Sequence, residues 1–159
     1  MTQIGRLTIT PEDSQLVLSG SLDETANVMD LLGYAKHGQL ALDLAGVSFI
    51  NSLGVRDWIR MLASAQTKNL AVELRRVSEP IVHQLNMIIA TRGNATVTSF
   101  FAPYACDKCG REDSLLVEMA ANAAGLAKLE PPPQTCPECG AQMAFNDFPE
   151  RYFTFIQQP

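Results

Sequence analysis

Short runs of alternating apolar residues occupy residues 4–10 and 15–20 of the chain. Each run predicts a β-strand, and the turn-forming residues between them predict that the two strands pair as a hairpin. The spacing then changes, because apolar residues recur at i, i+3, i+4 and i+7 from Val28 to Ala35. This period predicts one face of a helix that begins near Asp23.

The same alternation of periods continues to residue 101. Helices are predicted to begin near Ser52 and just after Ser78, which is a suitable N-cap. The face of the second of these helices that is predicted to be buried comprises Ile81, Leu85, Ile88 and Ile89. Three further strands are predicted, at residues 39–44, 70–74 and 96–101. Alternating strands and helices indicate an α/β fold with a largely parallel sheet and helices packed against it.

The composition of the chain changes after residue 103. All four cysteines lie beyond this point, in the sequences CDKCG and CPECG, and three consecutive prolines lie between them at residues 131–133. The end of the chain is rich in aromatic residues. We therefore predict two units, an α/β domain at residues 1–103 and a small second domain at residues 104–159.

The spacing of the cysteines predicts a metal site. Two thiolates separated by two residues can bind one ion, because the turn between them, closed by glycine, leaves backbone amides that point towards the sulfurs. Two such pairs supply four sulfur ligands, which is the structural zinc arrangement and has no open position for substrate. A pair of disulfides, a redox-active CxxC or an iron centre are the alternatives. The predicted ligands of one structural Zn²⁺ are Cys106, Cys109, Cys136 and Cys139.

On these two CxxCG knuckles the segment resembles a zinc ribbon. Short strands predicted at residues 115–119, 143–145 and 151–156 would suit such a unit, and its C-terminal aromatic residues would form its small apolar face. The resemblance implies binding of either nucleic acid or protein. Acidic side chains outnumber basic ones from residue 106 to the end, which should repel phosphate backbones. We therefore expect the metal to stabilise a unit with little core of its own.

Charge and hydropathy limit the possible partners of the whole chain. It carries 17 acidic and 12 basic residues, a net charge of -5, which argues against a surface built throughout for nucleic acid. The longest apolar runs fall far short of the roughly 20 residues that cross a bilayer. The first residues lack the pattern of a signal peptide. We therefore expect a cytoplasmic protein without membrane insertion, in which cysteines stay reduced and available to a metal.

A second candidate site is the strand-to-helix turn in the stretch DLAGVSFINSLGV, residues 43–55. Asn51 is a good N-cap, and Ser52 would then lie in the first helical turn. Free backbone amides and the helix dipole favour a negative charge there, so a phosphate on Ser52 could be held locally.

At these residues the sequence resembles the STAS domain, the fold of anti-sigma-factor antagonists and of regulatory subunits in bacterial partner-switching systems. The match spans about residues 4–101 and rests on the order of elements and on the motif D-x-S-G-V-x-F-x-D-S-x-G. Asn51 stands where phosphorylated members usually carry aspartate, and Leu53 stands where many have a second small hydroxyl residue. The resemblance implies that Ser52 is a phosphorylation switch for an anti-sigma factor that is also a serine kinase. It implies a partner-binding surface at Asn51, Ser52, Leu53 and Arg56.

Several function classes remain open from the sequence. We favour a non-catalytic signal-transduction module that binds a protein partner, with homo-oligomer formation also possible. The rival class is a nucleic-acid-associated protein that uses the ribbon as reader; a STAS regulatory subunit of a transporter complex is another alternative. An enzyme is the least favoured class. The two histidines of the sequence, His37 and His83, are expected to be surface or edge residues rather than bases beside a nucleophile.

Overall fold

A computed structural model describes residues 1–157 as an α/β arrangement with a mixed sheet and helices, which confirms the predicted fold class. The last two residues of the predicted second domain, 158 and 159, lie outside the described residues. The first three strands of the first sheet are antiparallel neighbours, and the third to sixth are parallel. In spatial order the strands are β1 (Thr2–Ile4), β2 (Leu7–Pro11), β3 (Leu16–Leu22), β4 (Gln39–Ile50), β5 (Ala71–Arg75) and β6 (Thr96–Val97).

The helix predicted from Asp23 is shorter and tighter than expected. It is a 3-10 helix over Val28–Tyr34. The residues before it form a turn, because the buried Asp23 carboxylate accepts hydrogen bonds from the backbone N–H and the hydroxyl of Thr25 and from Arg6. The side chain thereby offers the backbone an alternative to helical bonding.

The two main helices begin where the sequence predicts, at α1 (Ser52–Thr67) and α2 (Glu79–Met87). On α2, Ile81 and Leu85 are buried as predicted. The prediction for Ile88 and Ile89 is wrong, because they are 38% and 68% exposed. The α-helix ends at Met87, so the helical period no longer carries these two residues back to the core.

The second sheet is antiparallel throughout and has the order β8-β7-β10-β9. Sheet membership changes at Thr98, so the predicted strand at residues 96–101 is divided between the two sheets. The boundary predicted after residue 103 falls inside β7, and the division into two domains stays a prediction. The strands are β7 (Ser99–Ala105), β8 (Glu112–Glu118), β9 (Gln134–Thr135) and β10 (Gln142–Phe145).

The end of the described chain is helical, so the strand predicted at residues 151–156 is wrong. Pro149 starts a helical turn, and backbone N–H groups of Tyr152 and Phe153 donate to the carbonyl oxygens of Phe148 and Pro149. The short helices of this region are α3 (Ala123–Ala127), α4 (Pro149–Tyr152) and α5 (Thr154–Gln157). No helix within residues 1–157 is long and apolar enough to cross a membrane.

The aromatic residues of the C-terminal helices join the second sheet to α2. Tyr152, Phe153 and Phe155 are buried, with ring centroids 6.4, 6.0 and 5.2 Å from that of Phe100 on β7. Asn86 on α2 donates to the Tyr152 carbonyl oxygen and accepts from the Phe155 backbone N–H, both at 2.8 Å. One continuous apolar core therefore underlies both sheets.

Candidate metal centre and partner surface

The four cysteines lie in two turns of the same backbone geometry, which we call the first knuckle (residues 106–111) and the second knuckle (residues 136–141). In the first knuckle the N–H of Gly110 donates to the carbonyl oxygen of Cys106 at 2.9 Å. In the second knuckle the N–H of Gly140 donates to the carbonyl oxygen of Cys136 at 3.0 Å. These glycines have φ of +78° and +77°, a left-handed conformation that favours glycine.

Each knuckle is also closed at its base. The backbone N–H of Cys106 donates to the carbonyl oxygen of Arg111 at 2.8 Å, and that of Cys136 donates to Ala141 at 2.7 Å. The first knuckle directly follows β7, and the second lies between β9 and β10. Because β10 pairs with both β7 and β9, the second sheet brings the two knuckles together.

The four sulfur atoms converge on one point, within 4.8 Å of one another. Cys106 Sγ lies 3.5 Å from Cys139 Sγ, and Cys109 Sγ lies 3.6 Å from Cys136 Sγ, so none of these contacts is a disulfide. A tetrahedron of Zn–S bonds of about 2.3 Å separates its sulfurs by about 3.8 Å. The predicted ligands are therefore arranged to bind a metal ion, and the spacing and all-sulfur donor set fit one zinc.

Backbone amides favour the thiolate form of the buried cysteines. The N–H of Cys109, together with that of Lys108, lowers the pKa of the Cys106 thiol to about 7. The N–H of Cys139, together with that of Glu138, lowers the pKa of Cys136. A thiolate is the form of cysteine that binds metal, so both turns are preorganised for a cation.

The pKa of Cys109 moves the other way. Its sulfur accepts from the N–H of Arg111, which favours the thiolate, yet its pKa is raised to about 12 because desolvation and the three neighbouring thiols outweigh that bond. A cation among the sulfurs would favour the thiolate form of Cys109 and so oppose this rise in its pKa. The Arg111 guanidinium also links the knuckles, since it lies 3.0 Å from Asp113 and 3.4 Å from Glu138 of the second knuckle.

The second candidate site lies at the N-terminus of α1. Asn51 is the N-cap, and its Oδ1 accepts from the backbone N–H of Gly54 at 2.8 Å. Its Nδ2 donates to a carboxylate oxygen of Glu24 at 2.8 Å, and this bond lowers the pKa of Glu24. Asn51 therefore serves both as the cap of α1 and as an anchor for the neighbouring loop that carries Glu24.

Exposed residues surround this N-cap. Ser52 is exposed, Leu53 is 40% exposed, and Arg56 is 49% exposed and paired with Asp57 at 3.0 Å. Two apolar side chains that were not among the predicted site residues are also exposed: Phe49 at 49%, two residues before the N-cap, and Met29 at 40%, beside the cavity that Asp57 of α1 lines. We call the exposed set the α1 surface: Met29, Phe49, Ser52, Leu53 and Arg56.

Phe49 could not be recognised as a surface residue from the alternation of the strand. It shares the phase of Val47, which is buried. Val47 pairs with Gly20 of β3, and Phe49 pairs with Ser21. The register of the two strands shifts between these pairs, and this shift breaks the alternation. Met29 belongs to the 3-10 helix and lines a surface cavity of about 350 Å³ together with Asp57 of α1.

The two histidines lie apart from both sites. His37 is exposed in the turn before β4, with φ of +53°. His83 is exposed on α2, where its ring lies edge-on to Tyr152 with 5.9 Å between centroids. Both are surface residues, as predicted.

A scan against protein-family models finds no match to this chain, and a search of curated proteins finds no significantly similar sequence. The STAS resemblance therefore stays a prediction that rests on the motif and the order of elements. The cysteine cluster stands independently of it, because its support is the convergence of four sulfurs.

Proposed function

We propose that this chain is a non-catalytic regulatory module that binds a protein partner through the α1 surface and holds one structural Zn²⁺ through its four cysteines. The observation that carries the proposal is the exposure of large apolar side chains around an ordered helix N-terminus. Exposed large apolar side chains that lie near one another often mark a binding site in a soluble protein. The STAS resemblance supports the same surface from the motif.

The partner that we propose is a protein rather than a nucleic acid. The α1 surface combines Phe49, Leu53 and Met29 with the single cation Arg56, which suits an apolar protein contact with a charged rim. Residues 106–159 carry eight acidic side chains against four basic ones, which opposes a phosphate backbone. We place the protein in the cytoplasm, where its thiols stay reduced.

Regulation by phosphorylation of Ser52 is part of the proposal. The hydroxyl is exposed in the first turn of α1, where a phosphate would meet free backbone amides. Up to two negative charges added to the α1 surface at Ser52 would change its affinity for a partner. We propose an anti-sigma factor with serine-kinase activity as that partner.

The first experiment compares partners captured by the zinc-loaded chain and by variants. Leu53→Glu should abolish capture of the partner, because it puts a charge into an apolar contact. Ile89→Glu is the matched control, since Ile89 is an exposed aliphatic residue that is not part of the α1 surface. Equal loss of the captured partner with both variants, or no loss with either variant, would contradict docking at the α1 surface.

The switch has its own experiment. Ser52→Ala and Ser52→Asp are used as baits in the native cells, alongside mass spectrometry of the wild-type protein for a phosphate on Ser52. We expect Ser52→Asp to lose the partner and Ser52→Ala to keep it. If neither change alters the recovered set, the switch at Ser52 is wrong, although docking at Leu53 still stands on its own test.

A further inference from the structure

The four sulfurs differ in their access to solvent. Cys109 is exposed and Cys139 is partly exposed, whereas Cys106 and Cys136 are buried. Both short sulfur contacts cross between knuckles, at 3.6 Å for Cys109 with Cys136 and 3.5 Å for Cys139 with Cys106. Each cross-knuckle pair therefore joins one accessible sulfur to one buried sulfur. This is the arrangement of an attacking thiol with a resolving thiol beside it.

We propose that the cysteine cluster is an oxidation-sensitive site, at which a hydroperoxide converts the two cross-knuckle pairs into disulfides and releases zinc. The proposal rests on the zinc site proposed above, and it adds to that site a reactivity directed by exposure. The oxidant is a small hydroperoxide such as hydrogen peroxide, because only the edge of the cluster is open to solvent.

The chemistry starts at Cys109. The thiolate that Cys109 would carry in the zinc-loaded chain attacks one oxygen of the peroxide, the O–O bond breaks, and a sulfenic acid forms while hydroxide leaves. The Cys136 thiolate then attacks the Cys109 sulfur, an S–S bond forms and a second hydroxide leaves. Two protons from solvent turn both hydroxides into water. The pair has given two electrons to one hydroperoxide.

Zinc leaves after this first disulfide, because it has lost two of its four ligands. Cys139 and Cys106 are then free to react in the same way with a second hydroperoxide, the partly exposed Cys139 first. Both disulfides tie the first knuckle to the second, as the metal does. The pairing of β10 with β7 and β9 is therefore retained, and a dithiol followed by zinc restores the starting state.

The test uses the full chain loaded with zinc. Elemental analysis first establishes one zinc per chain. The chain is then treated with hydrogen peroxide, zinc release is followed with a chromophoric chelator, and free thiols are blocked before digestion. Lys108 lies between the cysteines of the first knuckle and Glu138 between those of the second, so proteases that cut after lysine and after glutamate separate all four. Every possible pairing then yields a different linked peptide.

We expect loss of the whole zinc content, with the Cys109–Cys136 link appearing before the Cys106–Cys139 link and both removed by a dithiol. A short peroxide pulse in the presence of a 1,3-dione should label Cys109 rather than the buried Cys106 or Cys136. Links within a knuckle, first labelling of a buried sulfur, or retention of zinc while the exposed Met87 is oxidised would each overturn the proposal. A chain that holds no zinc at the start would overturn the zinc site and this inference together, so the two failures are distinguishable.

Discussion

Asn51 uses both ends of its side-chain amide at the N-terminus of α1. Its oxygen caps the helix through the N–H of Gly54, and its nitrogen donates to Glu24. An aspartate in this place would cap the helix but would face the Glu24 carboxylate with a second negative charge. The departure from the STAS motif at Asn51 is thus matched by an acid 27 residues earlier in the chain.

This pairing makes a prediction at the scale of one residue. Asn51→Ala should lower the free energy of unfolding by about 1 kcal/mol, because it removes an N-cap. Asn51→Asp keeps the cap but should raise the pKa of Glu24 relative to wild type, and Glu24→Gln in the same chain should recover the lost stability. Urea unfolding of Asn51→Ala, Asn51→Asp and the double variant at neutral pH measures the stability lost with the cap and the stability lost to the repulsion.

The pH dependence of these variants gives an independent check. In the wild type the pKa of Glu24 is lowered on folding by its bond from Asn51, so this contribution to stability is present above the unfolded pKa and is lost as the pH falls through the folded pKa. In Asn51→Asp the repulsion disappears once one carboxyl is protonated. The difference between wild type and Asn51→Asp should therefore shrink in acid, and a constant difference would contradict the pairing.

At the scale of elements, α1 approaches the end of β3 closely at Gly54. A β-carbon at this position would overlap the carbonyl oxygen of Leu22. Gly54→Ala should therefore force the helix away from the sheet and lower the free energy of unfolding by about 1–3 kcal/mol. Gly33→Ala is the control, because a β-carbon on Gly33 meets nothing within 4 Å. Thermal unfolding that is equally affected by both changes would contradict this account.

A second prediction at this scale concerns the attachment of α4 and α5 to α2. The Asn86 amide bonds the carbonyl of Tyr152 and the N–H of Phe155, so Asn86→Ala leaves two backbone groups without these partners. We expect a loss of about 1–3 kcal/mol and faster hydrogen exchange at residues 148–157. Gln84→Ala, on the same helix, is the control. Unchanged hydrogen exchange in Asn86→Ala would contradict this role, because the aromatic contacts alone would then hold α4 and α5 to α2.

At the scale of the whole molecule, the sequence predicts what local patterns encode. The cysteine cluster, the N-cap at Asn51 and the alternation of strands and helices in the first hundred residues all follow from spacing within short segments. The shared core could not be predicted in the same way, because it depends on contacts between distant residues such as Phe100 with Phe155. Asp23 shows the same limit at short range, since its side-chain bonds replace a helical turn that the hydrophobic period favours.

The shared core leads to the last prediction, which concerns metal removal. Cys106 follows β7 directly, and Phe100 on the same strand packs against the C-terminal aromatic residues that Asn86 holds to α2. Loss of zinc should therefore loosen more than the knuckles. Trp58, the only tryptophan, is buried on α1 and donates to the Thr91 carbonyl at 2.8 Å, so its fluorescence reports on the first sheet. We expect a chelator with reductant to shift the urea midpoint of Trp58 fluorescence to a lower concentration, and added zinc to restore it. An unchanged midpoint, with hydrogen exchange raised only in residues 104–157, would instead mean that the two units fold independently.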